Sequence, residues 1–450
     1  MGSLSLRNNY TGNLNCAVGV QALLANISGN NNCAMGKSAL ESNSTGYSNI
    51  AIGPFALAYN YEGNNLVAIG DSALYHNGVG ATGSWDATCN TAVGSKALYA
   101  NNTGNWNTAV GNHAMFSNTS GDNNTATGGS SLYSNTTGNY NTAIGNNAMY
   151  YNDAGSSNTA IGIFTLHQNF NGSFNTAVGE SALAKNINGN NNTAVGEVAL
   201  LNNVNGHDNT ANGINALTNN DFGSWNTANG SNALYYNVSG EKNTGFGYQA
   251  LYSNIDGSMN TAIGNGAYFT ASTLTNTTCI GYYSGGQSNV SNRVEIGNTS
   301  VSWIGGQVPW NTYSDERIKD NIRENVPGLA FISRLRPVTY HLNIHRQNEL
   351  CGKDQKNAAD WPEKYDIEKV QMTGFLAQEV EKAAKGCNYN FSGVDSPGDN
   401  SLYSLRYSDF VVPLVKAVQE QQTMIEDLKK ENAELKSRLD AIELKLNEKK

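Results

Sequence analysis

Small apolar residues recur along the first two thirds of the chain at a fixed spacing. The unit reads N-T-A-[VI]-G-x-x-A-L-x-x-N-x-x-G-x-x, and its motif glycine falls at 19, 36, 53, 70, 94, 111, 128, 145, 162, 179, 196, 213, 230, 247, 264, 281 and 297. Fourteen of the sixteen intervals are 17 residues; the one from Gly70 to Gly94 is 24 and the last is 16. In the unit of Gly145, the run Thr142-Ala143-Ile144 alternates its side chains as a short strand does. Ala148-Met149 predicts a second strand, and the intervening Gly and Asn predict positive-φ turns. One such unit buries almost nothing, whereas stacked units bury a continuous stripe, so the period predicts a solenoid. At about 4.8 Å per rung, seventeen rungs make a rod of roughly 80 Å. The small residues on both strand faces suit close packing of several chains.

The period changes near the C-terminus. From Leu414 the steps alternate four and three: Val418, Gln421, Ile425, Leu428, Asn432, Leu435, Leu439, Ile442 and Leu446 follow. This predicts a coiled coil with Val418, Ile425, Asn432, Leu439 and Leu446 at the a positions. An Asn at a fixes register at some cost in stability, and the flanks are rich in Lys and Glu, as partner-facing edges are.

Charge divides the chain at the same place as the repeat. Residues 1–297 hold 6 Lys/Arg and 13 Asp/Glu, whereas residues 298–450 hold 21 and 23. The net charge of −9 argues against nucleic acid, whose phosphates call for a basic surface. No run approaches the length of a membrane helix. The start has no signal-peptide pattern, and Leu6 stands where a myristoylation motif needs Ser or Thr. The expectation is a soluble chain without membrane insertion, unless an N-terminal anchor belongs to a longer version. Cys16 and Cys33 lie one repeat apart and could bond on adjacent rungs; two small inward residues in place of Thr are the reading adopted.

The repeat fails after Gly297, and S-D-E-R-I-K-D-N-I begins at Ser314. Read by itself, this string opens a helix capped by Ser314, with Asp315 and Glu316 placed for the helix dipole. Further on come L-R-P-V-T-Y-H-L-N (335–343), G-F-L-A-Q-E-V-E-K (374–382) and Y-S-L-R-Y-S-D-F-V-V-P-L-V-K-A-V-Q-E-Q (403–421). These four motifs, in this order over about residues 303–450, closely resemble the endosialidase-type intramolecular chaperone domain of phage tailspikes and fibres. The repeats resemble the heads of trimeric autotransporter adhesins and similar viral-fibre repeats, although those heads usually have a shorter period.

The resemblance implies a homotrimer in which the chaperone folds the upstream shaft and then cuts itself off before the serine of the S-D motif. Here that is the Tyr313–Ser314 bond, with Ser314 as nucleophile and Lys319, five residues on, as general base. Serine needs a base to take its proton, and lysine can serve only when neutral, a state that desolvation favours. The cut is a single-turnover serine peptidase reaction in cis.

The fold expected is therefore mainly β. It comprises a trimeric β-solenoid of 17-residue rungs (1–297), a junction (298–313), a small α+β chaperone and auto-processing domain (314–409) and a coiled-coil helix (410–450). No cofactor and no metal are expected. His341 and His345 are four apart, but Val338, Tyr340, Leu342 and Ile344 alternate as a strand, which puts the two His about 13 Å apart. Aromatic residues recur five positions after the motif glycine (Tyr75, Tyr99, Phe116, Tyr133, Tyr150, Tyr235, Tyr252, Phe269) and twelve after it (Trp106, Tyr140, Phe174, Trp225). Such ladders can bind sugars; cover for core or subunit contacts is the reading adopted. The 24-residue interval, with Trp85 and Cys89, reads as a loop bulging from one rung.

The function expected is a virion fibre, with a cell-surface receptor or glycan as its external partner. The alternatives are a bacterial surface adhesin with the same chaperone, or a tailspike that degrades polysaccharide. Against the last, acidic residues of the shaft are scattered singly rather than paired.

Overall fold

A computed structural model of the chain describes residues 2–448 except 82, 84–85, 269–271, 286–289, 303, 308–311, 351–363 and 397–401. The chain forms two compact units, Met1–Gly286 with Val290–Asn298, and Thr299–Lys450 together with residues 287–289.

In the first unit seventeen strands, from β1 (Cys16–Val18) to β17 (Arg293–Ile296), form one parallel sheet in which each strand pairs with the next. Most pairs are offset by one repeat, such as Thr142↔Thr159 and Ala143↔Ala160. The 24-residue interval keeps the strand register, Val67↔Thr91, despite its extra residues. Trp85 and Phe269 lie outside the described residues. Each rung contributes one strand, because the A-L run, expected as a second strand, is a chain of turns. Leu40 has φ 52° and Ser38 φ 54°, and the same signs recur rung after rung through Leu251. Within the run, Ala39 N–H reaches back to Gly36 O, while Leu40 N–H donates to Ala56 O of the next rung at 2.9 Å. The run is thus bonded from rung to rung, as strands are, but its left-handed residues bend it. Positive φ is carried by Leu and Met as well as by Gly and Asn.

The core lies inside a single chain. The middle strand Ala, the Ala–Leu pair and two Asn per rung are all buried, as Ala143, Ala148, Met149, Asn141 and Asn152 are in one unit. Each buried Leu contributes roughly 2 kcal/mol. The Asn side chains form two ladders. Asn152 Nδ2 donates to Asn135 Oδ1 of the preceding rung (2.7 Å) and to Gly155 O of its own (2.9 Å). Asn141 Oδ1 accepts from Asn158 N–H, and Asn141 Nδ2 donates to Gly155 O. Buried amides are tolerated here because each has a partner. The motif glycines are packed against one another: a Cβ on Gly145, whose φ is 138°, would lie 2.3 Å from Gly162 O. At the last rung Glu295 takes the register position of the inward alanine, under Cys279, and pairs with Arg293 at 2.9 Å. Burial, with the Glu295 charge next, pushes the Cys279 thiol up to about 12.

Cys16 and Cys33 are in register on β1 and the next strand, and both are free thiols. They occupy the outward Thr position rather than facing inward, because Ala17 and Ala34 take the core side of each strand. Burial, then the neighbouring Cys16, raises the Cys33 thiol.

In the second unit, α1 (Leu329–Ile332) packs on α4 (Val411–Asn447), with β18 (Val338–Tyr340) antiparallel to β19 (Met372–Gly374). The remaining elements are α2 (Ile344–Leu350), α3 (Ala377–Lys385) and a two-residue pairing of β20 (Val394–Asp395) with β21 (Ser404–Leu405). Phe331, Val380, Phe391 and Phe410 centre its core. Pro413 sits in the first turn of α4, where its missing N–H does no harm. The strand expected over 338–344 ends at Tyr340. Asn343 Oδ1 accepts from Arg346 N–H at 2.8 Å and opens α2, so His345 is helical.

Candidate functional site

The segment before α1 is organised by one tight turn. Asp315 accepts from the backbone N–H of Arg317 (2.9 Å) and pairs with its guanidinium, so Asp315 rather than Ser314 caps a short 3-10 turn, Glu316–Ile318. The expected α-helix is therefore three residues long, and Lys319 already has extended backbone, φ −118° and ψ 118°. The hydrogen bond from Arg317 holds the Asp315 carboxyl below the usual carboxylate range. With its capping role taken, Ser314 is left for another partner. The turn carries Lys319 back toward it, and Lys319 Nζ donates to Ser314 Oγ at 2.6 Å.

Both side chains are exposed, as is the whole run 312–325. Tyr313 is 95% exposed, and the apolar side chains of Ile318 and Ile322 are 66% and 67% exposed. An exposed peptide bond before the serine, an adjacent amine and uncovered isoleucines thus occupy one short segment.

The three later sequence motifs meet in one small domain. Arg336 of the first grips Glu379 of the second through two bonds, 3.1 and 2.6 Å, which lowers the Glu379 carboxyl. Val338 pairs with Gly374 across the β18–β19 ladder. Phe375 N–H donates to Tyr407 Oη of the third motif at 3.0 Å, and a Cβ on Gly374 would lie 2.2 Å from that oxygen. Leu329 N–H donates to Glu420 Oε2 at 2.7 Å, which fastens α1 to the long helix.

Residues 314–387 match the family described as chaperone of endosialidase. The match begins at Ser314 and takes in three of the four motifs, through 374–382. No curated protein and no solved structure matches the chain.

Beyond the chaperone segment, α4 continues with almost no cover from its own chain. Leu414, Val418, Ile425, Leu428, Leu435, Leu439, Ile442 and Leu446 are 45–61% exposed, and only Pro413 and Ala417 of the helix are buried. No helix among the described residues is long and apolar enough to cross a membrane. Among those residues no group of three or more His, Cys, Asp or Glu could hold a metal. His345 instead sets its Nδ1 3.1 Å from Glu368 Oε1 and stacks on Tyr365, whereas His341 lies just beyond β18.

On the shaft, the ladder five positions after the motif glycine is stacked ring on ring. Tyr75, Tyr99, Phe116, Tyr133 and Tyr150 lie 4.8–5.1 Å apart and within 5° of parallel, so the ring faces cover one another. The second series does not stack. Trp106, Tyr140 and Phe174 stand two rungs apart and are 64–65% exposed.

Proposed function

We propose that the chain is a tail-fibre or tailspike-like protein that assembles as a homotrimer and releases its C-terminal chaperone by cutting the Tyr313–Ser314 bond. The observation that carries this reading is the 2.6 Å contact of Lys319 Nζ with Ser314 Oγ beside an exposed Tyr313. In the reaction, Lys319 takes the Ser314 hydroxyl proton and Ser314 Oγ attacks the Tyr313 carbonyl. The C–N bond breaks, the amine of Ser314 takes the proton, and water then frees the Tyr313 carboxylate from the ester.

A lysine accepts a proton only when neutral, and water stabilises its charged form. Solvent surrounds both side chains in the single chain, so the cut waits for neighbouring chains to cover the segment. Tyr313, Ile318 and Ile322 are the apolar groups such chains would bury. The exposed seam of α4 supplies the contact that brings three chains together. The order of parts then has a physical reason. Near-identical rungs can pair in wrong register, and a C-terminal clamp aligns the chains before the rungs close. Once the clamp is gone, the shaft persists by kinetic stability.

Mass spectrometry of the full chain beside a Lys319→Ala variant tests the reading. Fragments ending at Tyr313 and starting at Ser314 are expected from the wild type alone. An uncut wild-type trimer would remove the peptidase role.

A further inference from the structure

The residue three places before each motif glycine forms a column along the shaft, and from Thr91 to Thr278 every member is threonine. The first four members are Cys16, Cys33, Ile50 and Val67, so the two cysteines of the column stand side by side. They are direct Cα partners in the parallel pairing of β1 with β2 (Cys33–Met35). Adjacent strands lie about 4.8 Å apart, inside the window of about 4.4–6.8 Å that a disulfide spans between Cα atoms. Both side chains leave the same face of the sheet, opposite the buried Ala17 and Ala34. The Cys33 thiol is hydrogen-bonded to Cys16, and both thiols are free, Cys16 exposed and Cys33 half-buried. Two threonines so placed have nothing to exchange, whereas two thiols in contact can be joined by oxidation.

We propose that Cys16 and Cys33 are an oxidisable pair, closed into a disulfide by a low-molecular-weight disulfide such as oxidised glutathione. Cys16, the more exposed, gives its proton to solvent, and its sulfur attacks the oxidant. A mixed disulfide forms and one external thiolate leaves. Cys33 then gives its proton to solvent, and its sulfur attacks Cys16 Sγ and expels the second thiolate. Two protein thiols are oxidised, and one external disulfide is reduced to two thiols. Burial raises the Cys33 thiol, but its attack is intramolecular, which offsets the smaller thiolate fraction.

The Cβ atoms start about as far apart as the strands, beyond the ~3.8 Å usual in a disulfide. Closure therefore draws the two rungs together at that point and leaves a bond that is readily reduced. Among the described residues β1 pairs with β2 alone, whereas β2 pairs on both sides. The disulfide thus fastens the edge strand of the sheet covalently to its neighbour, across a loop of one repeat.

Peptide mapping of the full chain, equilibrated in glutathione buffers, tests this. In excess oxidised glutathione a peptide linked through Cys16 and Cys33 is expected, and excess reduced glutathione should remove the link. Hydrogen exchange of the amides shared by β1 and β2 should slow at least about tenfold on oxidation. A variant carrying Cys16→Thr and Cys33→Thr has the threonine of the other rungs and should exchange alike in both buffers. Three outcomes would overturn the proposal: glutathione retained on either cysteine without the link, a covalent dimer through Cys16 or Cys33 on a non-reducing gel, or unchanged exchange in the linked chain.

Discussion

Asn169 Nδ2 donates to Asn152 Oδ1 of the preceding rung at 2.7 Å and to Gly172 O of its own rung at 2.8 Å. One buried amide thus ties two rungs together and closes the turn of one, and the same arrangement recurs along the shaft. Asn169→Ala leaves the buried Asn152 Oδ1 without its donor and takes the Asn169 Oδ1 acceptor from Asn186 Nδ2, while Gly172 O keeps its bond from Asn158 Nδ2. The cost expected is about 2–4 kcal/mol. Solenoid stability is local, so hydrogen exchange should rise in the rungs around residue 169 and stay unchanged near residue 40. Uniform protection in the variant would mean that the ladder follows the fold rather than holding it.

The core leucines lie in an unusual backbone region. Leu200 has φ 52°, whereas Leu66, equally buried, is not among the positive-φ residues. A β-branched side chain is strained at positive φ. Leu200→Ile should therefore destabilise its rung by roughly 1–3 kcal/mol although volume is conserved, and Leu66→Ile should cost less. Equal losses in denaturant titrations of the two variants would contradict this.

The Tyr59 hydroxyl bonded to Tyr75, with burial second, pushes the Tyr75 phenol up to about 12. An unfolded tyrosine titrates near 10. The neutral phenol is favoured in the fold, so this contribution is complete below about pH 10 and is lost as pH rises toward 12. In an ultraviolet titration, Tyr59→Phe should move one late-titrating tyrosine toward 10. An unchanged curve would dismiss the pairing.

The seam of α4 is the proposed assembly contact. Ile425→Asp combined with Leu439→Asp places charges at two a positions and should give a monomer by sedimentation. If burial of Lys319 follows assembly, this variant should also remain uncut although Ser314 and Lys319 are both present. A cut monomer would separate cleavage from assembly.

Much of this was legible in the chain. The column that holds Leu200 contains Leu, Met or Tyr at every rung from Leu23 to Tyr268 and never Val or Ile. β-branched residues are disfavoured at such a left-handed position without being barred from it, since Val198, two residues before Leu200, has φ 53°. A binary apolar pattern does not carry the sign of φ, so the strand reading missed it. The outward Cys16 and Cys33 were misplaced for a related reason: two-residue alternation leaves open which side is the core until the rungs are stacked.

By itself the sequence determined the rung count, the 17-residue offset, the heptad seam and the order of the chaperone motifs, because each is a periodicity or a string carried by residue type. Only the tertiary structure decided which Asn oxygens meet which amides, and that Asp315 rather than Ser314 caps the turn, so that Lys319 reaches the serine. Those outcomes depend on where backbone groups five or seventeen residues apart come to rest, and packing and hydrogen bonding fix that only once the chain has folded.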